Sequence, residues 1–208
     1  MGVDTNIIYD KLGTIFEKAE CELKFNSNFE LLVAVILSAQ CTDKRVNEVT
    51  KELFKKYNTP KDFASLDQNV LEKEIYSCGF YHNKAKNIIS MSKDLLERFG
   101  GVVPDDFDEL LSLAGVGRKT ANVVLAVGFN QDTIAVDTHV FRVSNRLGIV
   151  KANTPYKCEM ALQKIVDKDK WSRFHHLLVL FGRYYCKAIN PKCNGCVLCD
   201  ECKYYKGK

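Results

Sequence analysis

Five of the nine cysteines crowd the C-terminal end: Cys186, Cys193, Cys196, Cys199 and Cys202. Thiolates this dense, in a chain whose first ten residues carry neither a basic start nor an apolar stretch, point to a metal site rather than to disulfides. A loop with so little apolar content needs an internal crosslink to be ordered. Four thiolates suit zinc. The run Cys186-x6-Cys193-x2-Cys196-x5-Cys202 favours a [4Fe–4S] cluster, because a cubane spreads its ligands around a larger object. The regular run Cys193-x2-Cys196-x2-Cys199-x2-Cys202 is a competing ligand set and would leave Cys186 as a buried thiol. Spacing alone leaves both sets open.

A second constellation lies at 113–121, Leu-Ala-Gly115-Val-Gly117-Arg118-Lys119-Thr-Ala. Two glycines around one apolar residue allow positive φ and close approach of another backbone. The helix that follows presents unpaired N–H groups at its start, to which Arg118 and Lys119 add charge. A phosphate matches that geometry better than a plain helical hairpin does. Lys119, at a positive helix end beside Arg118, is disfavoured as a second cation, so it reads equally as a nucleophilic amine or as a phosphate-binding lysine. Asp137, 18 residues on, precedes Thr-His and reads first as a helix cap. A capped carboxylate stays ionised and can also stabilise positive charge developing on a substrate.

The 208 residues suffice for one large domain or two small ones with a substantial core. Apolar content of 46% and charged content of 27% are ordinary for a globular protein, and no apolar run is long enough to span a membrane. The net charge of +4 does not by itself announce a nucleic-acid partner. Its distribution says more. From position 183 onward Arg183, Lys187, Lys192, Lys203, Lys206 and Lys208 face only Asp200 and Glu201. That is either a solvated tail or a phosphate-facing surface. Cys21, Cys41, Cys78 and Cys158 read as small core residues in a reducing cytosol.

The elements that must position these groups are helices throughout. Ser27 and Glu30 make a capping box ahead of Leu31–Leu37, apolar on every side and therefore central. Thr42 or Asp43 caps the next helix. Asp67 opens one that Gly79 ends; Asn83–Phe99 is stopped by the Gly100-Gly101 pair. Pro104-Asp105-Asp106 opens a helix to Leu113, and Arg118–Val127 ends at Gly128. Asp137 caps His139–Leu147, Thr154-Pro155 starts another, and Trp171, Phe174, Leu178, Phe181 and Tyr185 form a last apolar stripe. Arg142 and Arg146 share one helical face and read as solvated. No alternating strand appears. The fold class is all-α, with about ten short helices.

The order of these motifs resembles the helix-hairpin-helix superfamily of DNA glycosylases. The hairpin at 113–121 looks like the one that names it. Ile134-Ala-Val-Asp137-Thr-His139-Val-Phe-Arg142-Val-Ser-Asn-Arg146 is similar to its catalytic aspartate region, and the Cys-x6-Cys-x2-Cys-x5-Cys tail to that of its iron–sulfur members. The loops at 37–43 and 79–85 match two more segments. Departures are Ala114 where proline is usual, Phe80 where leucine is usual, the lightly charged 187–192 segment and the extra Cys199.

The resemblance implies two helical lobes, one at 22–131 with the hairpin, the other combining 1–21 with 132–208 and a cluster loop at 186–202. It implies a [4Fe–4S] cluster held by Cys186, Cys193, Cys196 and Cys202. It implies a DNA glycosylase and AP lyase acting on oxidised pyrimidines, with Lys119 as Schiff-base nucleophile and Asp137 as the catalytic carboxylate. Gln40 and Phe80 would fill the gap left by a flipped nucleotide. Gly115, Gly117, Arg118, His139, Lys187 and Lys192 would contact DNA. The expected partner is double-stranded DNA with damaged bases or abasic sites, met by a cytoplasmic monomer with no membrane association. A relative that excises mismatched adenine is the alternative; such proteins usually lack the lysine and run longer at the C-terminus. A non-catalytic DNA-binding module would not need both Lys119 and Asp137, and an electron carrier would not need so much chain outside the cysteine loop.

Overall fold

A computed structural model describes residues 3–207; Met1, Gly2 and Lys208 of the basic tail lie outside them. Every regular element among the described residues is helical. The chain divides into two compact units, Glu22–Asn130 and Met1–Cys21 with Gln131–Lys208.

The first unit is built around α2 (Asn28–Ser38), in which every residue from Phe29 to Leu37 is buried. Each such leucine or isoleucine contributes on the order of 2 kcal/mol by leaving water. Ser27 caps it by accepting from the Glu30 N–H at 3.2 Å. The box does not close on Ser27, because the Glu30 carboxylate instead accepts from the backbone N–H of Asn26 at 2.6 Å. Around α2 pack α3 (Asp43–Lys56), α6 (Tyr81–Phe99) and α8 (Arg118–Phe129). Thr42 supplies the α3 cap. Between them lie α4 (Pro60–Ala64), α5 (Gln68–Ile75) and α7 (Phe107–Leu111). Helix α4 was not anticipated. Its start signals are plain, with Pro60 at the first position and a reciprocal box between Thr59 and Asp62.

Four boundaries differ from the sequence reading, one of them the end of α7, which stops at Leu111 and not at Leu113. Helix α5 ends at Ile75, before Gly79, and α6 begins at Tyr81, two residues ahead of Asn83. Its cap is Phe80, in the left-handed region at φ 59°. Helix α8 runs through Gly128 and stops at left-handed Asn130. Gly128 serves packing, since a Cβ there would stand 2.8 Å from Oδ1 of Asn28.

In the second unit α1 (Thr5–Ile15), α9 (Thr138–Leu147), α10 (Pro155–Ile165) and α11 (Trp171–Tyr184) share one core that includes Ile8, Leu12, Val140, Leu147, Phe174 and Phe181. Helix α11 follows a 3-10 turn at Lys168–Lys170. The short α12 (Lys203–Lys206) follows the cysteine loop and packs on α9. Cys186, Cys196 and Cys202 lie against the edge of this core, which gives the loop a floor.

Candidate active site

Helices α7 and α8 pack on each other across the turn at 112–117. Asp106 caps α7 through the N–H groups of Asp108 and Glu109, at 2.9 and 3.0 Å. Leu113 and Val116 are buried and anchor the turn. The two glycines do different things. Gly115 sits at φ 78°, where a Cβ would also meet Cβ of Asn87 at 2.8 Å. Gly117 caps α8 with an extended φ of −96°, no side-chain cap and nothing within 4 Å of its would-be Cβ. Positive φ is thus required only at Gly115, while the space beside Gly117 is open for a ligand backbone. The Arg118 guanidinium lies over the Phe107 ring at 4.8 Å, and Lys119 is exposed in the first turn. The segment thus exposes one amine in the first turn of a helix that no side chain caps.

Gln40 and Phe80 stand in two other loops of the same unit. Both are exposed and both are left-handed, at φ 53° and 59°. Among the described residues two other non-glycines share that conformation, Asn130 and Asn190, and asparagine tolerates it. Glutamine and phenylalanine do not, so each loop stores strain of about 1 kcal/mol or more. Phe80 is 64% exposed and so is no part of the core. A bulky apolar ring held outward in a strained conformation fits insertion into another molecule.

Asp137 heads α9 in the second unit. Its Oδ1 accepts from the N–H groups of His139 and Val140, both at 2.8 Å. The cap reading therefore holds, and it uses one carboxylate oxygen. His139 is half-buried: Gly182 of α11 faces its Cβ so closely that a Cβ on Gly182 would come to 2.8 Å. Burial lowers the His139 pKa, with Asp137 opposing the shift, so the ring is neutral near pH 7.

The two arginines are not solvated. Arg142 donates from Nε to the Cys186 carbonyl at 3.1 Å and from a terminal nitrogen to the Gly182 carbonyl at 2.9 Å. Arg146 donates to the carbonyls of Lys187 and Ala188 at 2.6 and 2.9 Å, and its guanidinium lies 4.7 Å from the Tyr204 ring centre. Their shared face turns toward the chain leaving α11. Their i, i+4 spacing was visible in sequence, but nothing local named carbonyls 40 residues away.

Cys186, Cys193, Cys196, Cys199 and Cys202 all line one hollow, completed by Leu147, Phe181, Pro191 and the tyrosines of α12. All five are free thiols. Among the described residues no three ligating side chains converge closely enough for a single ion. Five thiols around one hollow supply more than the four thiolates that a zinc ion or an iron–sulfur cluster takes. Cys199 stands in the ring with the other four, and its thiol points to Asp200 Oδ1 at 3.7 Å. Lys187 and Lys192 are exposed on the adjoining segment, with Lys192 Nζ 5.3 Å from the Tyr185 ring.

A family model described as HhH-GPD superfamily base excision DNA repair protein matches residues 33–168. The chain belongs to that superfamily, as a DNA glycosylase and AP lyase. Among curated relatives, endonuclease III of Bacillus subtilis (strain 168) is 53% identical over 195 residues, 93% of this chain and 89% of that protein. Endonuclease III of Thermotoga maritima is 44% identical, over 86% and 84% of the two chains. A solved trapped endonuclease III–DNA covalent intermediate in an estranged-adenine complex superposes with a TM-score of 0.93 at 49% identity, covering 96% of this chain and 94% of that one.

Proposed function

We propose that this chain is a bifunctional enzyme that removes oxidised pyrimidines from double-stranded DNA and cuts the strand 3′ to the lesion. The observation that carries this reading is Lys119, exposed in the first turn of α8 beside the unobstructed Gly117. The helix N-terminus and Gly117 would hold a DNA phosphate, which sets the amine at the adjoining sugar. The damaged base leaves the stack before its bond can be reached. Phe80 and Gln40 then occupy the vacated space, one apolar and one polar.

The Lys119 amine bonds to C1′ as the C1′–N bond to the base breaks, and the base departs with a proton. Opening of the sugar ring turns the adduct into a protonated imine. Loss of a C2′ proton then expels the 3′ phosphate. Asp137 has one carboxylate oxygen committed to its cap, and the second is left to stabilise positive charge developing on a bound sugar. The cysteine ring fits a [4Fe–4S] cluster on Cys186, Cys193, Cys196 and Cys202, which would crosslink the loop and hold Lys187 and Lys192 toward the phosphodiester backbone. A monomer in the cytoplasm, where free thiols persist and DNA is at hand, suits this assignment.

Borohydride reduction on abasic duplex tests the proposal. The wild type becomes covalently attached; Lys119→Gln binds but is not trapped, because binding rests on many phosphate contacts and the imine on one amine. Continued trapping by the variant moves the nucleophile elsewhere. Faster release of adenine opposite 8-oxoguanine than of thymine glycol would replace the pyrimidine assignment.

A further inference from the structure

Lys84 is a lysine with 5% of its surface exposed, which is costly unless the ammonium is fully engaged. It reaches from the first turn of α6 across to the end of α2. Nζ donates to the Leu37 carbonyl at 2.8 Å and to the Ala39 carbonyl at 2.6 Å. These oxygens lie at the negative end of α2, which has no basic residue in its own last turn. Ala39 is followed directly by left-handed Gln40. At its other end, the Lys84 backbone N–H donates to the carbonyl of left-handed Phe80 at 3.1 Å. The side chain therefore ties the strained Gln40 loop to the start of the helix that Phe80 caps.

The neighbourhood keeps the loops in register. Gly79 lies against the Gln40 carbonyl, 3.8 Å from the place of a Cβ. Cys78 and Cys41 stand close enough to the lysine and to each other to interact. Burial, then Cys41, pushes the Cys78 thiol up to about 12, so it remains neutral and the carbonyls are what hold the ammonium. Burial also lowers the Lys84 pKa.

We infer that Lys84 is a positioning residue for base extrusion, tying the Gln40 and Phe80 loops into one rigid probe. The inference rests on the reading of Gln40 and Phe80 as the groups that enter the duplex. Lys84 touches no substrate and acts through them. Its loss therefore weakens the step in which a base is displaced and spares the step in which no base remains.

The experiment compares single-turnover release of thymine glycol from duplex with cleavage of a preformed abasic site, in Lys84→Met, Lys84→Gln and Phe80→Ala. Lys84→Met should slow base release about tenfold or more and alter abasic cleavage by less than about threefold. Replacing the lysine leaves the Leu37 and Ala39 carbonyls without its donor, so melting temperatures are measured alongside and rates are compared at a temperature where every variant is folded. Lys84→Gln, which keeps a donor, should be intermediate. A 2-aminopurine opposite the lesion should brighten on binding of wild type and less on binding of Lys84→Met. Equal losses in both reactions, or no loss, overturn the inference while leaving the probes intact if Phe80→Ala remains selective. If Phe80→Ala is not selective, the reading of the probes fails, and a selective Lys84→Met then acts by another route and overturns the inference as well.

Discussion

Arg146 in the last turn of α9 grips the carbonyl oxygen of Lys187 at 2.6 Å, 41 residues along the chain. The same guanidinium holds Ala188 and reaches the Cys186 thiol at 3.7 Å. A planar fork with fixed donors can hold three such groups at once, which a lysine at this place could not. The segment bearing Lys187 is therefore aimed by a helix and not only by the thiol ring.

Replacing Lys187 and Lys192 with alanine should weaken binding to every duplex and flatten its salt dependence by up to about two phosphate contacts. Arg146→Met should flatten the slope without removing either lysine, because the segment loses its anchor. Titrating a labelled duplex at several salt concentrations measures both. An unchanged slope would make these lysines ordinary solvated charges.

Purified protein should be yellow-brown, with iron and sulfide at about four each per chain. Cys199→Ser should keep that content and Cys186→Ser should lose it. The reverse pattern, read by metal analysis, assigns the regular Cys-x2 run as the ligand set. Stoichiometric zinc alone refutes the cluster.

The hairpin glycines should separate by variant. Gly115→Ala must adopt positive φ and displace Asn87, so it should lower stability by about 1–3 kcal/mol in thermal unfolding. Gly117→Ala has room and an ordinary φ, so stability should barely change while affinity for abasic duplex falls.

Asp137 has a cap role and a chemical role that two substitutions divide. Asp137→Asn retains an oxygen for the cap and should slow trapping with little change in melting. Asp137→Ala should in addition cost about 1 kcal/mol of stability. Equal stabilities of the two variants would deny the cap.

Acid should destabilise the second unit. His139 and His176 both have pKa values lowered by burial, below the ordinary 6.5. The unfolded chain then binds more protons than the folded one below pH 6.5, so stability falls as pH drops from 6.5 through the folded values. Above pH 6.5 neither group contributes a slope. His176→Gln should flatten the loss in urea unfolding followed between pH 7 and 5.

Caps and hydrophobic periods made most helices legible. Ser27, Thr42, Asp67, Asp106, Asp137 and Thr154 all cap through their side chains, because a cap is a contact among four neighbours in sequence. The glycine-framed turn before Arg118 and Lys119, and the cysteine spacing, were equally local. What stayed hidden depends on partners far along the chain. The left-handed Phe80 reads in sequence as a core aromatic after a glycine, and its outward pose follows from how α5 and α6 meet. Arg142 and Arg146 read as solvated, and nothing beside Lys84 in sequence points to a buried ammonium. Each is settled by a carbonyl or a helix end 40 or more residues away, or by a surface that several segments form together. Local propensity is written in neighbouring residues; the partner of a buried charge and the strain in a loop exist only once the packed elements leave them no alternative.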